Sequence, residues 1–383
     1  MKILAIICEF NPLHNGHKYL LDNARKLYDC DCIVCIMSGS FTQRGEMCIL
    51  DKYTRARHAI NAGADCVIQL PAPFTVAPAE IFAKGAIKIL SSIPDVTALL
   101  FGSENGSAES FTSSADLLID ESDLFKKVLN ENLESGESYI KSFTEAFLCC
   151  GGNREMVSNP NNILGLEYAK AIKRADAKID IVTLKRAGSG YNESSLCENF
   201  SSASAIRNNL CDNAVKNNVP DFVYADLKNA ADVKEAENAM RFSLFKNSTE
   251  QLKDIYGCGE GLENKLKSLE NLTYKEIVEK ATSKRYSSSR IKRILCANML
   301  GLYCEDTEKF LNSHLYIKPL AVKKECADEI LSALAKSGYP VVCGVSDENL
   351  SETAKQCFNK DKYVYSVYKH ITRTNNKDYM ILI

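Results

Sequence analysis

The sequence predicts an α/β fold: a parallel sheet covered by helices, then a helical region and a small mixed C-terminal portion. Three observations predict it. Short continuous apolar runs recur through the first half of the chain, as in strands buried on both faces. Between them lie runs with apolar residues at three- and four-residue steps, as in amphipathic helices. The chain has 383 residues, 45% of them hydrophobic, which is enough for more than one packed unit.

The elements follow in order. Residues 2–8 form the first strand, because Ile3, Leu4, Ala5, Ile6 and Ile7 run without a break. From Gly16 the period changes, and Tyr19, Leu20, Asn23, Ala24 and Leu27 fall on one helical stripe. A second strand at 32–37 leads into the polar loop Ser38-Gly39-Ser40-Phe41-Thr42-Gln43-Arg44-Gly45-Glu46. A helix from about Lys52 ends at Gly63, which can adopt the positive φ needed past a helix end. A third strand at 66–70 is stopped by Pro71, a helix covers about 79–90, and a fourth strand at 98–101 ends in Gly102. Helices fill 110–150 and 161–174, and a fifth strand at 179–184 closes a unit spanning 1–210. Strands alternating with helices make a Rossmann-like sheet with right-handed crossovers and a site at the carboxyl ends of the strands. Beyond it, helical patterns at 235–245, 248–255, 262–269, 274–281 and 288–302 mark a helical region, 211–310, reached through a polar linker at 213–220. Residues 311–383 carry strand-like runs at 315–317, 341–342 and 380–383 around a helix at about 323–335.

Composition excludes several classes. The formal net charge of −2 gives no global attraction to nucleic acid or membrane, so any such site must be a local patch. No run of about 18 apolar residues occurs, so no membrane span is expected. The apolar run after Lys2 is too short for a signal peptide. Sixteen cysteines without such a signal indicate free thiols in a reducing cytoplasm. Cys30, Cys32 and Cys35 have no second Cys/His pair at zinc spacing, and no metal site is expected from the protein's own ligands.

Polar residues gather at the ends of the first, second, fourth and fifth strands, in Asn11 to His17, Ser38 to Glu46, Gly102-Ser103-Glu104 and Lys185-Arg186-Ala187-Gly188-Ser189-Gly190-Tyr191, and again at Phe200 to Arg207. All would meet on one rim of the sheet. His14-Asn15-Gly16-His17 sits at the turn into the first helix, where unpaired backbone N–H groups favour anions. Imidazoles there suit the stabilisation of charge on a transferring phosphoryl group, by electrostatics and positioning more than covalent chemistry. Arg207, beside hydroxyls at a helix start, fits a phosphate clamp.

Asn11-Pro12-Leu13-His14-Asn15-Gly16-His17 after a first strand resembles the nucleotidyltransferase superfamily with the His-x-Gly-His signature, and Ser201-Ser202-x-Ser204-x-Ile206-Arg207 looks like its second phosphate motif. Within it, the Ser38–Glu46 loop, Asp51-Lys52, Gly63 to Pro71, Pro160 to Gly165 and Lys185 to Tyr191 are similar to the bacterial tRNA(Met) cytidine acetate ligase family. Gln69 stands where that pattern suggests an acid. The resemblance implies that acetate attacks the α-phosphate of ATP to give acetyl-adenylate, and that the wobble cytidine of elongator tRNA(Met) then takes the acetyl group on N4. By position it implies an ATP segment Ile7-Cys8-Glu9-Phe10-Asn11-Pro12-Leu13-His14-Asn15-Gly16-His17-Lys18-Tyr19-Leu20, with Gly102, Asn161 or Asn162, Arg186, Ser201 and Arg207 as further contacts. His14 and His17 would be catalytic, steadying the phosphates, and Mg²⁺ would accompany the triphosphate.

Lys280 to Arg293 holds Lys280, Lys284, Arg285, Arg290, Lys292 and Arg293 with no acid among them, and Tyr286 is interleaved. Such a run by itself suits a solvated helix face; the family resemblance implies that Lys284, Arg285, Arg290, Lys292 and Arg293 grip tRNA phosphates, with a base stacked on the tyrosine. Two rival readings remain: an adenylyltransferase acting on a small phosphate-bearing metabolite, and a non-enzymatic RNA-binding protein on a decayed nucleotide fold.

Overall fold

Alternate residues of a strand face opposite ways, and the first strands are apolar at every position, so each must be covered twice. The computed structural model, which describes residues 1–186 and 195–383, shows this. Leu4, Ile6, Ile33 and Cys35 enter one core, while Ile3, Ala5, Val34 and Ile36 enter another on the far face. The strands are β1 (Ile3–Cys8), β2 (Cys32–Ser38), β3 (Cys66–Leu70), β4 (Val96–Ser103), β5 (Asp180–Lys185), β6 (Pro319–Val322) and β7 (Ile381–Leu382). They form one seven-stranded sheet in the order β5-β4-β1-β2-β3-β6-β7. β1 to β5 are parallel, and β6 joins β3 antiparallel. The chain runs outward from β1 through β2 to β3, then returns to place β4 on the other side of β1. That reversal opens a crevice above the carboxyl ends of β1 and β4.

Helix α1 (Asn15–Leu27) follows β1, and α2 (Lys52–Asn61) follows the loop after β2. Helices Ala79–Ser91 and Pro160–Arg174 pack against each other on the far face. Helices Lys234–Lys246 and Ser288–Leu300 also pair, and both bury side chains in the core beneath α1 and α2. Among the described residues no helix is long and apolar enough to cross a membrane, and all sixteen cysteines are free.

Four expectations are corrected. β4 is longer than 98–101, so Gly102 lies inside the strand, paired with Leu184, and does not close it. Residues 213–220 are not a loose linker: Asn213–Asn218 is a short 3₁₀ helix with Val215 and Asn218 buried. The run at 315–317 makes only an isolated bridge, Ile317 to Val341, while the unanticipated β6 extends the main sheet. The helix Glu352–Thr372 was also unanticipated, because Asp361 interrupts its apolar stripe. Asp361 is nevertheless buried, accepting from the Ala72 N–H at 2.6 Å and from the Tyr316 hydroxyl.

Candidate active site

The turn after β1 is built by its own side chains. Phe10 holds φ at 48°, a strained value for a bulky residue, and its ring meets His17 edge-on with centroids 5.0 Å apart. His14 is the N-cap of α1: its Nδ1 accepts from the Gly16 N–H at 3.1 Å, while His17 Nδ1 accepts from the His14 N–H at 3.3 Å. A Cβ on Gly16 would come within 3.0 Å of the His14 ring, so glycine is what allows the cap. The two rings stack 3.7 Å apart. Burial, with Arg186 and Arg207 nearby, holds the His14 imidazole down at about 3. Burial, then His14 and Arg186, also hold His17 well below its ordinary value. Both rings are therefore neutral at physiological pH. Each Nδ1 accepts, so each proton sits on Nε2, leaving two fixed N–H donors.

Arg55, fully buried on α2, ties the rim together. Its guanidinium donates to the carbonyls of Glu9 at 2.6 Å, Ser38 and Leu50 at 3.1 Å each, and Gly39. One rigid fork thus fixes the ends of β1 and β2 and the loop that follows. In that loop Glu46 receives Arg207 at 2.6 Å and Lys292 at 2.9 Å. Arg207 also donates to the Asn11 carbonyl at 2.7 Å. Burial pushes the Glu46 carboxyl up, but the two cations outweigh it and the net shift is downward.

Two adjoining hollows open on this rim. The smaller, about 140 Å³, is mostly apolar, walled by Ile6, Ile7, Tyr19, Leu20, Phe101, Gly102 and Leu184. The larger, about 490 Å³, is cationic, with Arg44, Arg186, Arg207 and Arg293 around Glu9 and Glu46. Cys8, Phe10, His14, His17, Asn161 and Arg186 line both. Among the described residues no three His, Cys, Asp or Glu side chains cluster as a metal cage.

Most of the expected residues converge, with instructive exceptions. Pro12, Leu13, Asn15 and Lys18 line neither hollow. Leu13 is core, Asn15 donates to the Asn199 and Asn217 carbonyls, and Lys18 pairs with Asp22. Asn161 faces the hollows, whereas Asn162 is fully buried, its Oδ1 accepting from the Glu104 and Asn105 N–H groups at 3.0 and 3.2 Å. Ser201 is turned inward, with its hydroxyl on Cys197; Ser202 and Ser204 line the larger hollow in its place. The basic cluster divides. Lys284 and Arg285 are exposed, while Lys292 is bound to Glu46 and Arg293 lines the larger hollow. Burial, helped by Arg290 and Arg44, lowers the Arg293 guanidinium to about 10, and its Nε is buried without a partner. Tyr286 is 8% exposed, with the Arg285 and Arg290 guanidiniums over its ring, so no base can stack there as the sequence suggested. Residues 187–194, including the Gly188, Gly190 and Tyr191 motif, lie outside the described residues. Arg55 and Glu46 were missed; only the stretch around Glu46 had carried a signal, as a polar loop.

Residues 1–380 match the family described as HIGH Nucleotidyl Transferase. The chain is 34% identical to the tRNA(Met) cytidine acetate ligase of Caldanaerobacter subterraneus subsp. tengcongensis, over 96% of this chain and 95% of that protein. It is 39% identical to the Clostridium novyi protein of the same name over 79% of each. Crystal structures of Thermotoga maritima TmcAL, apo and bound with alpha-thio ATP, superpose with TM-scores of 0.92 and 0.89 at 27% identity, covering 100% of both chains.

Proposed function

The chain belongs to the tRNA(Met) cytidine acetate ligase family, and from that premise we propose that it is an ATP-dependent ligase acetylating N4 of the wobble cytidine in elongator tRNA(Met). The reaction runs in two steps. An acetate oxygen attacks the α-phosphorus of ATP, the bond to the bridging oxygen breaks, and pyrophosphate leaves, giving acetyl-adenylate. The cytidine amine then attacks the acetyl carbon. A C–N bond forms, AMP departs with the C–O electron pair, and one proton is released.

One observation carries the reading: two neutral imidazoles, locked as Nε2–H donors, stand beside a hollow ringed by four arginines. Neutral donors can follow the phosphate through the transition state without holding the ground state too tightly. The apolar hollow, where Gly102 leaves room, suits adenine and ribose. Arg44, Arg186, Arg207 and the orphaned Nε–H of Arg293 suit the triphosphate and pyrophosphate. Arg207 must loosen from Glu46 to serve, and a triphosphate supplies the competing charge. Mg²⁺ would come with the nucleotide, held by phosphate oxygens and water with at most Glu9 or Glu46 from this chain, and would neutralise phosphate charge.

In this reading 1–210 carries ATP and acetate, 211–310 meets the tRNA, and 311–383 supports the sheet. Lys284, Arg285 and Arg290 face the tRNA backbone, while Arg293 serves the nucleotide side and Lys292 stays with Glu46 beside it. A reducing cytoplasm suits the free thiols. The test supplies purified protein with ATP, labelled acetate and bulk tRNA but no acetyl-coenzyme A. Label in N4-acetylcytidine is the expected result. Adenylylation of a small phosphate compound, with no tRNA product, would overturn it.

A further inference from the structure

A second cavity of about 500 Å³ adjoins the larger hollow and lies between the loop after β2, the Arg207 segment and the helical region. The two spaces share three wall residues: Glu46, Ser204 and Arg207. Two of the three, Glu46 and Arg207, are joined by an ion pair of 2.6 Å. On the far side, Met47, Ile49, Val233 and Met240 supply an apolar surface and Tyr274 an aromatic ring. Charged and polar groups face these: Asp232, Glu237, Lys292 and Asn208, besides the three shared residues. Lys292 reaches in from its pairing with Glu46, and the Glu237 carboxylate makes no hydrogen bond or ion pair among the described residues. Burial raises the Glu237 carboxyl above its ordinary value.

Resting on the ligase reading above, we infer that this second cavity receives the acceptor base of the RNA, a cytosine rotated out of its loop. Four arguments lead there. The space is far larger than acetate needs, and ATP is already accommodated next door. An amine that attacks an activated acyl group must approach across a wall shared with the nucleotide, and this cavity shares one. A flipped base is read by apolar or aromatic contact on its faces and by hydrogen bonds at its edge. A cytosine edge presents an amino donor beside two acceptors, which matches an unpaired carboxylate (Glu237) beside an ammonium (Lys292). Uracil would turn a carbonyl toward Glu237, so the pair also rejects it. When the triphosphate draws Arg207 off Glu46, the partition opens and the amine faces the acyl carbon.

The test uses the full-length protein and two readouts. Acetate-dependent ATP–pyrophosphate exchange without RNA reports the first step; acetylation of elongator tRNA(Met) reports the second. Ala230, partly exposed on the cavity wall, is replaced in Ala230→Trp to fill the space. Its kcat/KM for tRNA should fall at least tenfold while exchange stays within twofold of wild type. Glu237→Gln should do the same, and should narrow the preference for a wobble C over a U. Independently, tRNA with 5-iodocytidine at the wobble position should photocrosslink to peptides carrying Tyr274 or Met240. Wild-type rates in both variants, or a crosslink on another surface, would overturn the assignment while the ligase reading stands. A wild-type protein that acetylates no tRNA would overturn the ligase reading and the cavity with it.

Discussion

His14 does two jobs that one substitution can separate. Asparagine is among the best N-caps, so His14→Asn should keep the cap and change stability by no more than about 0.5 kcal/mol at pH 7.5. It removes the Nε2–H donor, so exchange should fall by roughly 10²–10³, the usual cost of losing one donor to a developing charge. A variant that exchanges normally would reduce His14 to a structural cap. Acid gives a second test. His14 titrates near 3 in the folded chain against 6.5 ordinarily, because burial, then Arg186 and Arg207, disfavour its charged form. A value depressed by folding means the unfolded chain takes up the proton first. The stability involved is complete above about 6.5 and drains away as pH falls toward 3. Urea midpoints at pH 7.5 and 5 should fall more for wild type than for His14→Asn; equal falls would mean the ring is not protected. Residues adjacent in sequence, such as His14, Gly16 and His17, were legible in the sequence because their chemistry is local. Glu46 was not, since its partners Arg207 and Lys292 lie 161 and 246 positions away.

Among the elements, the loop after β2 and the helix Ser288–Leu300 behave as one piece. Gly45 sits at φ 76°, and a Cβ there would lie 2.5 Å from Arg293 Cα and 2.6 Å from the Lys292 carbonyl oxygen. Neither backbone atom can swing aside. Gly45→Ala should cost more than about 1 kcal/mol, because the dihedral is also unfavourable for alanine, and should raise the KM for ATP several-fold by displacing the helix backbone at Arg293, which lines the nucleotide hollow. Thermal melts and exchange kinetics read both, and an unchanged KM would show the loop is not coupled to the helix. Periodicity made most of these elements readable in the sequence. It failed at Glu352–Thr372, where Asp361 occupies a core position, and at the basic run, where a linear count of charges hid a division. Lys284 and Arg285 precede the helix, whereas Arg293 lines the nucleotide hollow and Lys292 is bound to Glu46.

At the scale of the whole molecule, distant parts of the chain meet beneath the rim. Lys52 on α2 and Lys318 just before β6 both pair with Asp378, at 2.7 and 3.4 Å, and all three are nearly inaccessible to water. Lys52 also donates to Gln69 at 3.0 Å, so a neutral amide suffices where the family pattern suggests an acid. Asp378→Asn would take from two buried ammonium groups the carboxylate that pairs with both, at a cost of about 3–5 kcal/mol. Denaturant unfolding should show that loss, and a change under about 1 kcal/mol would mean water reaches the cluster. None of this was legible, because nothing local marks a lysine as buried. The antiparallel strand β6 has a consequence in time as well as space. Tyr53 and Asp378 bond across 325 positions, and β3 waits for β6 through most of the intervening chain. During translation the β3 edge therefore emerges early and stays open, a row of unpaired backbone groups that can template aggregation. High contact order makes the closing step slow. The nascent chain is exposed to mispairing for far longer than its parallel core needs to form.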